Sequence, residues 1–459
     1  MSSNPNHYEK PNDIFIYEVW MTSDAGGDMS LLKQVQHISI YEDVTSTCIR
    51  GEIAFTDGQN LIGHFPICGQ ERIRIKFVTP GMGLQPNTYE LDVVEIIERT
   101  KSNDGKSELV KLGLVSPQAR LNKLTRLSKT FRGPVSALAS NIYQNHLRTD
   151  KPIAIEKTSN SVAYCVPNKH PIEAIQWLAS KAISGEGLPS SYNYLFFENS
   201  RSFVFSSLDS LSSVRPVLTL KLGQQSPTST NPGKTPDLLS RINDIEEITV
   251  MKSFDRLQEM NDGLYSSKLT LHDITFKSIT EVENNFYTDY NNTKHIEQFP
   301  TLPVKLNKYA NTKDSKKIVR YKQSAGMGGG DTSQDYDKFL QNRNNSMLEY
   351  NINKLEVAIA GNSQLTVGMP INLEIPKPEP LYANDTDILD QYQSGKYLVT
   401  AVRHLIDVGS KPIYKSVVQL SRGASPRRLP DSALFDGRKG EPSPIPGIGG
   451  ILDFFKGIF

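Results

Sequence analysis

Cysteine is scarce in this chain of 459 residues, which contains only three. Cys48, Cys68 and Cys165 are too few and too scattered for a disulfide framework or for a metal site of the CxxC type. The simpler interpretation is that all three are free thiols in a reducing cytoplasm.

Motifs that mark a catalytic centre are also missing. The eight histidines form no HExxH motif, and none pairs with a cysteine at ligand spacing. No GxSxG occurs, and the glycines at 326 to 330 are not followed by the Lys-Ser/Thr of a phosphate-binding loop. Paired carboxylates of a glycosidase stay open, because their separation is a property of the folded chain. The sequence predicts no catalytic residue, no cofactor and no metal site.

The chain has no excess of one charge and no long apolar run. Its 51 Lys and Arg residues face 50 Asp and Glu residues, so bulk electrostatics attract neither nucleic acid nor an anionic membrane. No run of about 18 apolar residues could span a bilayer, and residues 1–11 lack the apolar core of a signal peptide. We expect a soluble globular protein of about three domains, with no membrane partner and no specific nucleic-acid binding.

Strand signals dominate the first quarter of the chain. Six apolar segments between residues 14 and 115 are separated by Gly, Asn, Asp and Pro clusters, and residues 72–77 alternate strictly between charged and apolar side chains. Such alternation puts one face of a strand in a core and the other in solvent. Six strands at this spacing indicate a small barrel or sandwich, which we assign to residues 1–117.

The pattern then changes to mixed helix and strand. Helical periodicity follows Gly133 and Pro134, and again His170 and Pro171, with proline near the helix start, where its missing N–H costs least. The apolar runs 194–199 and 203–206 are joined by a short polar turn, which is typical of a hairpin. We assign an α+β domain to residues 118–211.

The remaining strand signals fall in two blocks, which predict a second, discontinuous barrel over residues 212–290 and 350–424. Residues 364–368 are included among its strands. The intervening residues 291–349 are polar, with a basic stretch from Lys313 to Lys322, and predict an irregular insertion in which that stretch is a solvated loop.

Residues 425–459 are rich in Pro, Gly and Arg and end on apolar side chains, which predicts a flexible tail with a buried terminus. The terminus could pack on the protein's own surface or in a groove of a partner. The candidate partner-binding residues are Ile451, Leu452, Phe454, Phe455, Ile458 and Phe459.

Three segments together resemble one known family. The first joins a helical stretch at 171–175 to YLFFEN at 194–199 and FVF at 203–205; the second, residues 254–265, looks like a strand-to-turn segment of that family. The third and most specific is G-N-x-x-L-x-V-G at 361–368, followed by S-G-K-Y-L-V-x-x-V-x-H at 394–404. Over about residues 14 to 423 the chain resembles the hub subunit of contractile phage tail baseplates, a family related to the N-terminal part of type VI secretion spikes.

The resemblance implies an α+β, mainly β fold. Two tube-like β-barrel domains would flank an α+β domain, with an insertion and a flexible C-terminal tail. It implies a structural virion protein, made in the host cytoplasm, whose homotrimeric ring adapts the sixfold tail tube to the threefold central spike. The implied partners are copies of itself, the spike, tail-tube or tube-initiator proteins and, through the tail, the tape-measure protein, and the genome could pass through the ring. No catalytic residues come with it.

Two other functions stay open. A baseplate-associated peptidoglycan hydrolase would give clear lysis in zymography. A carbohydrate-binding tail adhesin would show a clustered surface of Trp and Tyr, but the only tryptophans are Trp20 and Trp177, both in predicted core elements.

Overall fold

The computed structural model describes residues 10–23, 27–65, 67–82, 85–103, 105–185, 189–222, 238–301, 315–322, 336–378, 389–390, 392–409 and 412–427. The strands are β1 Phe15–Ser23, β2 Asp28–Ser30, β3 Val35–Asp43, β4 Arg50–Asp57, β5 Glu71–Val78, β6 Asn87–Lys101, β7 Glu108–Val115, β8 Leu127–Pro134, β9 Ile153–Ile155, β10 Ser161–Lys169, β11 Tyr194–Glu198, β12 Phe203–Ser207, β13 Leu218–Leu222, β14 Asp244–Lys252, β15 Ser266–Asp273, β16 Ser278–Asn285, β17 Phe299–Pro300, β18 Lys316–Lys322, β19 Asn353–Ala360, β20 Pro370–Glu374, β21 Gly395–Asp407, β22 Ile413–Arg422 and β23 Ala424–Ser425.

The helices are fewer than the strands among the described residues. They are α1 Leu61–His64, α2 Pro117–Leu124, α3 Val135–Ile142, α4 Pro171–Ala179, α5 Leu208–Ser213, α6 Arg256–Asp262, α7 Phe286–Asp289 and α8 Tyr336–Glu349, with a π-helical turn at Tyr143–Leu147 and 3₁₀ turns at Leu238–Asn243 and Tyr290–Asn292. The fold is therefore mainly β, as predicted.

The N-terminal strands form one antiparallel sheet in the order β2-β1-β5-β6-β7-β4-β3. The six strands predicted from periodicity are all present. Ile73, Ile75 and Phe77 of β5 are buried, whereas Arg72 and Arg74, which alternate with them, are exposed. The two-residue period of the strand thus determines which face lies in the core. The sheet curves around a single apolar core.

A closed barrel follows in the second half of the chain. Its six strands run β21-β20-β13-β14-β19-β22, and β22 pairs back onto β21. They come from two separate stretches of sequence, as the prediction of an interrupted barrel requires. β21 has 13 residues and pairs with three strands. On one side its first residues pair with β20 and its last residues with β3, and on the other side it pairs with β22.

The two β units are joined by direct strand pairing. β3 lies antiparallel to β21, with Asp43 opposite Ala401 and His37 opposite Asp407. The seven N-terminal strands and the six barrel strands thus form one continuous sheet of thirteen strands. Sequence reasoning did not foresee this connection, which fixes the orientation of one unit relative to the other.

The α+β region packs helices α3 and α4 and the predicted hairpin β11–β12 around its own core. The hairpin register puts Phe196 opposite Phe205, and both are buried, as expected of core residues. His170 lies just before α4 and Pro171 opens it. Trp177 stacks on Tyr164 with 3.8 Å between ring centroids. These helices and this hairpin confirm the sequence prediction.

Several local predictions were wrong. Residues 254–265 were expected to be a strand and turn, but they contain helix α6, because the Asp255 side chain accepts a hydrogen bond from Gln258 N and Gly263 ends the helix at φ +82°. Residues 364–368 are turns and not a strand. The Asn362 side chain accepts a hydrogen bond from Gln364 N and folds the chain back.

The interval 291–349 also differs from its prediction. Its basic stretch contains strand β18, which pairs in parallel with β15, and the interval ends in the 14-residue helix α8. β15 pairs with β16 on one side and with β18 on the other, in a separate sheet outside the closed barrel. Trp20 is 37% exposed, so it is not a core residue. The domain borders given above stay a prediction.

Candidate functional site

We first searched the described residues for metal-ligand clusters, reactive cysteines and membrane-spanning helices. Among them, no group of three or more His, Cys, Asp or Glu could hold a metal ion. The three cysteines are free, with Cys48 buried, and burial raises the pKa of the Cys48 thiol to about 12, which keeps it from acting as a thiolate. In the part of the chain that the structure covers, no helix is both long and apolar enough to cross a membrane.

The most specific sequence motif forms a loop where three parts of the molecule meet; we call residues 361–368 the junction loop. Gly361 lies so close to Tyr414 of the barrel that a Cβ would come within 2.0 Å of the ring. Gly368 has φ +83° and packs on Phe197 of the α+β region. Ser363 exchanges hydrogen bonds with Thr79 of the first sheet, at 2.9 and 3.1 Å.

A buried carboxylate ties the junction loop to the first sheet. Glu42 on β3 accepts hydrogen bonds from Thr366 Oγ1 at 2.5 Å, from Val367 N at 3.2 Å and from Tyr89 OH at 3.0 Å. Burial raises the pKa of Glu42, although these three donors oppose the rise. Its lone pairs are directed at structural donors, so we assign Glu42 a role in joining the two units.

A second buried cluster lies where α5 meets the end of α8. Asp209 accepts hydrogen bonds from Asn193 Nδ2 at 3.0 Å and from Tyr350 OH at 3.2 Å. Its other oxygen, Oδ2, has no hydrogen-bond partner among the described residues. Burial, reinforced by the charge of Glu349, raises the pKa of Asp209 to about 7.

His295 completes this cluster. Its Nδ1 lies 2.8 Å from the Glu349 carboxylate, its Nε2 lies 2.8 Å from the Tyr290 carbonyl, and its ring stacks on Tyr290. Burial alone would lower the pKa of His295, but the ion pair with Glu349 outweighs it and the pKa is raised. Both ring nitrogens thus lie within hydrogen-bond distance of oxygens of the protein itself, which fixes the position of the ring. The cluster thus joins α5, the end of α8 and residues 290–295.

A third buried cluster, which contains an ion pair, joins the α+β region to the first sheet. Glu198 at the end of β11 accepts hydrogen bonds from Lys151 Nζ at 2.7 Å and from Ile49 N at 2.9 Å. Beside it is an open cleft of about 480 Å³, lined by side chains of both signs, including Arg72, Arg148 and Glu90. The mixed charges do not select a ligand of either sign.

Large exposed surfaces are the more informative feature. Residues 93–101 of β6 pair with β7 on one side, and no described strand lies on the other. Val94, Ile96 and Ile97 of this open edge are 51%, 42% and 44% exposed. Unpaired strand edges with apolar side chains are templates for pairing with another chain.

A second apolar surface surrounds α6, where Phe254 and Leu257 are exposed. It borders a cleft of about 430 Å³ next to Ser425, a residue of β23 and the first residue of the predicted tail. Arg422 lies buried in the wall, with its guanidinium 4.4 Å from the Tyr397 ring centroid. The six candidate tail residues, from Ile451 to Phe459, lie outside the described residues, so their predicted role stays a prediction.

Comparison with known proteins places this fold. Neither a protein-family model nor a curated protein matches the chain. The tail protein from Neisseria meningitidis MC58 is similar in structure, with a TM-score of 0.52 and 10% identity, over 91% of this chain and 100% of that protein. The 43 kDa tail protein of prophage MuSo2 from Shewanella oneidensis has a TM-score of 0.50 and 9% identity, over 88% of this chain and 98% of its own.

Both of these structural neighbours are tail proteins, one of them from a prophage, and this chain has their fold. At identities of 9% and 10% the likeness establishes the fold alone. The predicted resemblance is thus confirmed at the level of a tail-protein fold.

Proposed function

We propose that this protein is a non-enzymatic structural subunit of a phage tail baseplate. Three copies form a ring that adapts the sixfold tail tube to the threefold central spike. The observation that carries the proposal is the tandem of two β units joined through β3 and β21. Three rigid tandems supply six β units, which is the number that a sixfold tube requires of a threefold ring.

The open edge of β6 supports the same proposal. A lone soluble subunit would leave Val94, Ile96 and Ile97 in water beside unpaired backbone groups. Contact with a neighbouring subunit or with the tube would cover them. The buried clusters at Glu42 and Asp209 contribute rigidity, because each binds elements that are distant in sequence.

The solution mass tests this function. We expect light scattering on the purified protein, alone or mixed with the spike protein of the same genome, to give about three times 51.3 kDa per ring. Electron microscopy of that species should show threefold particles with six similar densities around a channel. A protein that stays monomeric at every concentration and ignores the spike would overturn the proposal.

The C-terminal tail supplies a second contact in this proposal. We infer that Phe454, Phe455 and Phe459 bind an apolar groove of the spike, tube or tape-measure protein. Replacing all three by serine should abolish the binding of that partner in a pull-down. The matched control replaces the neighbouring Asp453 and Lys456 by serine and should bind normally. Unchanged binding after removal of residues 440–459 would contradict the inference.

A further inference from the structure

The small sheet β16-β15-β18 has two outer edges that no described strand covers. Its central strand β15 is antiparallel to β16 and parallel to β18. One end of the sheet is held by α8, where Gln341 Nε2 donates to Ser267 O at 2.9 Å and Asn345 Nδ2 donates to Asn284 Oδ1 at 2.6 Å. The other end, around the turn between β15 and β16, is exposed, as Ile274 and Phe276 show.

Apolar side chains of both edge strands share one face of the sheet at this exposed end. Ile279 of β16 and Tyr321 of β18 both lie opposite His272 of β15, so all three are on the same face. Ile279 is 65% and Tyr321 is 69% exposed, and Val319 beside them is exposed as well. Exposed apolar residues on open edges mark a surface that pairs with another chain.

The two edges carry opposite charge. β16 contains Glu281 and Glu283 and no cation. β18 contains four cations and no carboxylate: Lys316, Lys317, Arg320 and Lys322. One edge of the sheet is therefore complementary in charge to the other edge of the same sheet, which favours a second copy of this chain over an unrelated partner.

Strand direction also fits a second copy. β16 is antiparallel to β18 within the chain, so β16 of one copy placed beside β18 of the next forms an antiparallel pair. Keeping the in-chain register unshifted puts Ile279 opposite Tyr321 of the next copy and Glu283 opposite Lys317. One apolar pair and one pair of opposite charge then form, and Glu281 lies opposite Val319.

We propose that β16 of one subunit pairs with β18 of the next, so that three small sheets form a continuous belt between neighbours. The contact uses two different surfaces and is heterologous, which is the kind of interface that closes a cyclic ring. This inference rests on the proposed trimer and adds the surface through which its subunits meet. It is separate from the β6 edge, which would stay available to other neighbours.

Cysteine cross-linking tests the contact. Opposed residues of an antiparallel pair have Cα atoms about 4.5 to 5.5 Å apart, which suits a disulfide. In full-length protein with the exposed Cys68 and Cys165 replaced by serine, we expect the double variant Ile279→Cys/Tyr321→Cys to give covalent dimers and trimers under mild oxidation. Each single variant alone should stay uncross-linked, and a mixture of the two single variants should give dimers only.

The control pairs Tyr321→Cys with a cysteine at Val217, which is equally exposed but lies on another surface, and should give no cross-link. A trimeric protein whose double variant does not cross-link above this control would overturn the interface but leave the ring intact. Cross-linking of a single variant with itself would also overturn it, because that requires an isologous contact. A protein that is monomeric throughout would remove both the ring and the interface.

Discussion

Replacing Gly361 by alanine will destabilise the protein by about 3 kcal/mol or more, because the added Cβ would lie 2.0 Å from Cγ and Cδ1 of the buried Tyr414 ring. The ring cannot move freely, since its hydroxyl bonds to His404 Nδ1 at 2.8 Å and its edge packs on Phe77. The midpoint of urea unfolding should fall accordingly.

Gly58→Ala is the matched control, because nothing lies within 4 Å of the Cβ built at Gly58. It should leave the midpoint nearly unchanged. A companion measurement identifies the cause of the Gly361 effect: in a Tyr414→Ala background, the further cost of Gly361→Ala should shrink sharply, since the clashing ring is gone. Equal costs in both backgrounds would show that the ring is not responsible.

Replacing Asp209 by asparagine should stabilise the protein at pH 8 by up to about 4 kcal/mol, at about 1.4 kcal/mol for each unit of pKa shift. The pKa of Asp209 rises from 3.8 in the unfolded chain to about 7 in the fold. Between these values the folded protein binds a proton that the unfolded chain has lost, so stability falls as pH rises through this window. Asparagine cannot ionise, and its amide oxygen can take the place of Asp209 Oδ1 as acceptor of the hydrogen bonds from Asn193 and Tyr350.

His295 adds to the same trend. Its raised pKa means that its stabilising charge is present at low pH and is lost as pH rises through the folded-state value. Unfolding midpoints from pH 4.5 to 8.5 should thus fall in the native protein and fall less in Asp209→Asn. Asp57→Asn is the control: burial would raise the pKa of Asp57, but hydrogen bonds from the N–H groups of Leu61, Ile62 and Gln59 lower it. A lowered carboxyl pKa changes stability only below this pH range, so Asp57→Asn should destabilise the protein by an amount that stays nearly constant from pH 4.5 to 8.5. An identical pH profile for native protein and Asp209→Asn would contradict the assignment.

Local sequence patterns were sufficient to predict the strands and helices that have one apolar face. The β5 strand and helix α4 follow the period of their buried side chains. Helix α8 was missed because its buried positions Gln341, Asn345 and Glu349 recur at the helical period but are polar, so no apolar stripe marks it. Helix α6 was missed although Asp255 and Gln258 form a capping pattern that could have revealed it.

Residues 364–368 of the junction loop were wrongly predicted to be a strand for another reason. Leu365 and Val367 alternate as in a strand, but both are buried by tertiary packing of a turn. The clusters around Glu42 and Asp209 could not be predicted, because their members are far apart in the chain and single Glu, Asp and Tyr residues carry no local signal. The pairing of β3 with β21 depends in the same way on the complete fold.

That pairing has a consequence for how the protein is made. Residues 37–43 of β3 leave the ribosome about 360 residues before their partners at 401–407. At roughly 5 to 20 residues per second, the outer edge of β3 waits about 20 to 70 s without its neighbour. During that interval the nascent N-terminal sheet presents an unpaired edge to every other nascent copy nearby, so fragments that end before β21 should aggregate, and efficient production of the whole chain should depend on chaperones that shield β3 during translation.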